Sequence, residues 1–75
     1  MSAREPVLKK FGGNVREKRE ARNLSQESLA EQADLDRTYI GGIERGERNP
    51  TILSALRIAK ALKTSVAELC DGIDR

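Results

Sequence analysis

Hydrophobic residues recur along this chain at three- and four-residue spacing, the period of a helix with one face turned inward. Leu8, Phe11, Val15 and Arg19 keep that spacing after Pro6, a residue suited to a first helical turn, and predict a helix over "PVLKKFGGNVREKREARN" despite Gly12 and Gly13 in its middle. In "NLSQESLAEQAD", Ser25 stands as an N-cap, Leu24 can staple onto Leu29, and Leu29, Ala30 and Ala33 supply a buried stripe. Ser28 occupies the position where Glu or Gln would complete a capping box. A break of two or three residues follows at Asp34 and Leu35. Asp36 then caps a third helix, whose start is stapled by Leu35 on Ile40. Helices resume behind Thr51 in "NPTILSALRIAKALK" and behind Ser65 in "SVAELCDGI", where Glu68 stands at complete capping-box spacing. The expectation is an all-α chain of five helices in one domain over residues 1–75, loose only at about 1–5 and 72–75. Two short helices, about 25–33 and 36–45, meet in it at a tight turn.

The third helix carries an oddity, because "DRTYIGGIERG" places two adjacent glycines inside a helical pattern. At 100° per residue Ile40 and Ile43 define its buried side, while Thr38, Gly42 and Arg45 point nearly the opposite way, flanked by Arg37 and Gly41. Each glycine costs a helix up to about 1 kcal/mol relative to alanine. Either bare backbone is useful there, as it is where a helix lies close in a DNA groove, or the glycines only soften a short helix or mark a turn. These residues alone leave both readings open.

Composition narrows the class. The chain has 75 residues, 37% apolar and 35% charged, with one Tyr and one Phe, which fits a small helical domain better than a β-sandwich or a disordered tail. A domain of this size buries only ~60% of its unfolded surface, so a partner would help it. The start "MSAREPVLKK" lacks the apolar core of a signal peptide and no run approaches membrane-spanning length, so a cytoplasmic chain that uses no membrane is expected. Cys70 is the lone cysteine and reads as a small buried hydrophobe. With no histidine and no second cysteine, no metal site and no cofactor is expected. Nor is an enzyme, for want of a nucleophile motif, a phosphate-binding glycine loop or a recognisable carboxylate pair. The net charge of +2 says little by itself, since phosphate binding depends on how basic groups cluster.

The two-helix unit gives those groups an arrangement. In a helix-turn-helix the first helix crosses the DNA backbone and the second reads the major groove with its N-terminal residues. Arg37 can pair with both guanine O6 and N7, a contact worth roughly 1–3 kcal/mol of discrimination, and Thr38 can hydrogen-bond a base edge or meet a thymine methyl. Ser25 and Gln26, at the start of the preceding helix, suit a phosphate oxygen. Arg45, Arg48 and Asn49 stand at the far end and in the following loop, placed to hold the DNA backbone. Singly each has an ordinary surface explanation; together they favour DNA, and with it the reading in which Gly42 lets the helix lie close as a backbone contact.

The stretch "LSQESLAEQADLDRTYIGGIERGERNPTILSALRIAKAL" resembles the helix-turn-helix of the lambda-repressor and Cro superfamily. Within it, "LDRTYIGGIERGERN" is most similar to the controller proteins of restriction-modification systems, small dimeric regulators that bind operators upstream of their own gene and the endonuclease gene. The resemblance implies a lambda-repressor-like fold, base contacts from Arg37 and Thr38, and backbone or deformed-DNA contacts from Tyr39, Arg48 and Asn49. It also implies a salt bridge between Arg19 and Glu44 that orients the reading helix. One departure is visible: the turn, where the family usually has Gly, carries Asp34, which tolerates left-handed geometry at some cost.

The helix after Thr51 is apolar over a broad arc. Ile52, Ala55, Ala59 and Leu62 are expected in the core, with Leu53, Leu56 and Ile58 widening the stripe on both sides. Family members often have polar residues at Leu53 and Leu56, so these two, with Val66, Leu69 and Ile73, are expected in a two-fold homodimer interface rather than packed within one chain. Such a dimer sets its reading helices ~34 Å apart on a near-palindromic operator. The expected function is a sequence-specific transcriptional regulator bound to double-stranded operator DNA, with RNA polymerase a further partner if it activates. The competing reading is a protein-interaction module, antitoxin-like or adaptor, on the same helical fold.

Overall fold

Four side-chain oxygens decide where the chain enters its helices. Ser25, Asp36, Thr51 and Ser65 are extended residues whose oxygens accept backbone N–H bonds from Ser28, Thr38, Ser54 and Glu68 at 2.7–3.0 Å. They open α2 (Gln26–Ala33), α3 (Arg37–Glu44), α4 (Ile52–Ala61) and α5 (Val66–Leu69), and α1 (Arg4–Ala21) precedes them. This computed structural model describes residues 4–74, with side chains from Pro6 onward, and the described residues contain five helices and no strand. Of the ends expected to be loose, Arg4 and Glu5 already belong to α1 and Ile73 packs half-buried against the core; residues 1–3 and 75 lie outside the described range.

The exits from the helices share a second device. At Asn23, Asp34 and Lys63, φ is 57°, and at Gly46 it is 77°. Just beyond each, an amide reaches back five residues: Leu24 to Arg19, Leu35 to Ala30, Glu47 to Gly42 and Thr64 to Ala59, at 2.8–3.1 Å. That is the Schellman closure, which satisfies carbonyls the helix would otherwise orphan. Asp34 does adopt the left-handed turn that glycine would suit better.

Phe11, Val15, Leu29, Ala30, Ala33, Ile40, Ile43, Ala55, Ile58, Ala59, Leu62 and Leu69 make one core. α3 packs on α1 and α2, α4 on α2, and α5 on α1 and α4. The close α1–α3 approach depends on Gly12: a Cβ there would run into the carbonyl oxygens of Ile43 and Glu44, whereas Gly13 faces open space. No buried side-chain nitrogen or oxygen among the described residues lacks a hydrogen-bond partner.

Three sequence expectations change. Ile52 is 81% exposed, not core, because the first turn of α4 projects to the mouth of a cleft; Ile58, expected at the margin of the stripe, is fully buried at its centre. Leu69, expected at a dimer surface, is also fully buried, since α5 turns it between α1 and α4. The fifth helix is one turn long, and the carboxylate of Glu68 pairs with Lys18 at 3.4 Å while only its amide serves the cap.

Candidate nucleic-acid interface

α3 is held from its inner side. The Arg19 guanidinium of α1 donates two hydrogen bonds to the Glu44 carboxylate, at 2.7 and 3.1 Å, and a third at 2.7 Å to the carbonyl of Leu24. Glu44 is 2% exposed at its side chain and Arg19 11%, so the pair joins the α1 and α3 interiors. Gln26 donates from Nε2 to the same carboxylate at 3.0 Å, adding the start of α2. The hydrogen bond to Glu44, opposed in part by burial, holds the Arg19 pKa above its ordinary value. Because the folded-state value is raised, the contribution of Arg19's charge is fully present below its ordinary range and is lost as the pH rises into strong alkali.

The outer side is open at its beginning. Arg37 and Thr38 form the first turn of α3 and are exposed, with the Asp36 carboxylate fixing the Thr38 amide at 2.7 Å. The Arg37 side chain makes no hydrogen bond or ion pair among the described residues and is exposed, so its five donors face water. Ser25 is exposed at the start of α2. Tyr39 is half-buried against the core and its hydroxyl lies 3.4 Å from Ser54 Oγ, which also accepts from Thr51 Oγ1 at 3.0 Å.

Further along, the geometry departs from the sequence reading. Gly41 and Gly42 are buried, not bare. A Cβ on Gly41 would sit 3.1 Å from Arg45 Nη1 and 3.5 Å from Gln26 Oε1, and one on Gly42 would sit 2.6 Å from Arg48 Cγ. Long side chains of the same molecule therefore lie over both glycines. Arg45 pairs with Glu47 at 3.0 Å, and the Arg48 guanidinium stands 6.0 Å from the Tyr39 ring centroid. Gln26, expected to face phosphate, is turned partly inward to Glu44 because that buried carboxylate has acceptor capacity left after Arg19. Arg45, Arg48 and Asn49 remain exposed.

The expected dimer residues divide. Leu53 and Leu56 are exposed, at 57% and 41%, Val66 and Ile73 are half-buried, and Leu69 is enclosed. Sequence reasoning missed the neighbours that widen this surface: Ile52, Val7 and a cleft of about 150 Å³ lined by Val7, Phe11, Ile52, Val66, Cys70 and Ile73. Its parts come from α1, α4 and the C-terminal turn, so no periodicity within one segment signals it. Among the described residues no group of three His, Cys, Asp or Glu could hold a metal, and no helix is long and apolar enough to cross a membrane.

The chain matches the helix-turn-helix family model over residues 15–69. It is 57% identical to the control protein C.SmaI of Serratia marcescens over 56 residues, which are 75% of this chain and 67% of that one. To the control protein C.BamHI of Bacillus amyloliquefaciens it is 47% identical, over 81% of this chain and 76% of that one. The crystal structure of the restriction-modification controller protein C.AhdI from Aeromonas hydrophila superposes with a TM-score of 0.81 at 50% identity, covering 83% of this chain and 94% of that one. With the turn, the two short helices and the locked α3 already in place, this chain belongs to the helix-turn-helix family and, within it, to the restriction-modification controller proteins.

Proposed function

We propose that this protein is a sequence-specific DNA-binding transcriptional regulator that acts as a homodimer on a near-palindromic operator, as the controller of a restriction-modification system. The observation that carries the reading is the pair Arg37 and Thr38, exposed on the first turn of a helix whose other side is fixed by buried charge. A reading helix must hold its base contacts in register, and a free fork of donors on a rigid element does so. Arg37 and Thr38 contact base edges. Ser25, Tyr39, Arg45, Arg48 and Asn49 contact backbone or sense its deformation, and the part-buried Arg19 and Gln26, both bonded to the buried Glu44, orient the helix. The operator places this activity in the cytoplasm, and RNA polymerase becomes a partner if occupancy activates transcription.

The test is fluorescence anisotropy with duplexes selected from a random pool, compared with scrambled duplexes across a salt series. Selected sites should be palindromic and bound on the order of 10³-fold more tightly than scrambled ones. Arg37→Ala should relax preference at one position per half-site, by a factor of roughly 5–100. Equal affinity for selected and scrambled DNA at every salt concentration would end the reading.

A further inference from the structure

The two glycines of α3 were expected to bring bare backbone to DNA, yet both are covered. Gly42 is the more informative. The Glu47 amide donates to the Gly42 carbonyl at 2.8 Å, and the Gly46 turn folds the chain back over the last turn of α3. Arg48 leaves that turn with three successive atoms along Gly42: a Cβ there would lie 2.6 Å from Cγ, 3.6 Å from Cδ and 3.5 Å from Nε. The guanidinium ends near the face of Tyr39. Gly42 lies one helical turn after Thr38, on the same face.

We infer that Gly42 is a positioning residue for Arg48: its missing side chain is the seat on which the Arg48 stem lies, carrying a loop cation along the outer face of α3 toward the reading turn. A Cβ would strike Cγ, which is the root of the side chain and not its tip, so the whole guanidinium must swing away from Tyr39. The position is helical and the three atoms nearest the added methyl all belong to the exposed Arg48 side chain, so alanine there keeps the fold and gains helix propensity. The role in DNA binding rests on the regulator reading above; the steric coupling does not.

A double-variant cycle tests both. In anisotropy with the selected operator, Gly42→Ala should weaken binding on the order of tenfold and lower the salt slope by about one, as Arg48→Ala does. Gly42→Ala combined with Arg48→Ala should bind no more weakly than Arg48→Ala alone. A further loss in the double variant would mean that Gly42 itself approaches DNA, and unchanged binding by Gly42→Ala would mean that Arg48 needs no seat; either overturns the inference. Thermal unfolding without DNA supplies the second readout. Gly42→Ala should raise the midpoint by roughly 4 °C when Arg48 is already alanine, and by less in the parent chain. Equal gains in the two backgrounds overturn the seat, whereas failure of every variant and the parent to prefer the operator overturns the regulator reading and leaves the thermal comparison to decide the coupling.

Discussion

Lys63 shows how one residue can carry strain that its neighbours relieve by chemistry. It closes α4 at φ 57°, with its amide bonded to Lys60 and the next amide to Ala59. Asn23 does the same for α1, but asparagine enters the left-handed region at little cost, whereas the Cβ of lysine is crowded there. Lys63 is exposed, so its side chain can be removed without leaving a hole. Lys63→Gly should therefore stabilise the fold by about 0.5–1 kcal/mol, after allowing for the extra freedom glycine gives the unfolded chain. For a domain this small that is a rise of several degrees in thermal midpoint. Asn23→Gly should move it less. If calorimetry found the two substitutions equivalent, the strain at Lys63 would be absent.

At the scale of the elements, the Arg19–Glu44 pair fixes the angle of α3. Glu44→Ala would leave the part-buried Arg19 guanidinium with only the Leu24 carbonyl and the more distant Glu20 carboxylate, and should cost about 1–3 kcal/mol, out of a total of roughly 4–11 kcal/mol for a chain of this length. Replacing both partners with apolar residues, as in Arg19→Met with Glu44→Leu, should recover much of that stability, since the desolvation cost goes with the charges. Urea unfolding of the two variants decides it; equal losses would show that the charge is not what makes the single substitution harmful. The beginnings of these helices were legible in the sequence because cap chemistry is local: Ser25, Asp36, Thr51 and Ser65 each act within three residues. The endings at Asn23 and Lys63 were not, since a left-handed lysine has no compositional signal. The Ile52–Ile58 exchange has another cause: periodicity gives a face, but where along that face the covering elements stop depends on how the helices pack. Gly12 looked like a weakness in α1 until the α3 carbonyls it admits were in place. The candidate site divides the same way, with Arg37 and Thr38 readable from helical phase, whereas Gln26 and the two covered glycines depend on side chains from other turns.

The whole molecule has a radius of gyration of 11.2 Å and a longest extent of 33 Å. Reading helices ~34 Å apart put the two-fold axis of the proposed dimer ~17 Å from each α3, within reach of a contact made by a single protomer's flank. The flank that carries exposed apolar residues is the first part of α4, where Ile52, Leu53 and Leu56 stand together beside the cleft. Such a surface is expensive for a chain with so small a core, unless a second copy covers it. Replacing Leu53 and Leu56 together with serine should therefore leave a folded monomer, because neither residue contributes to the buried cluster. Leu69→Ser, by contrast, should unfold the chain, because it puts a hydroxyl in the core at a position that is 0% exposed. Sedimentation separates the two outcomes from each other. DNA binding gives the functional counterpart: on a full palindrome the Leu53→Ser, Leu56→Ser protein should lose on the order of a hundredfold in affinity, because the second half-site is no longer engaged at high effective concentration. On an isolated half-site its affinity should match that of the parent protomer. A variant that sediments as a dimer, or that loses half-site affinity to the same degree, would place the interface elsewhere on the molecule.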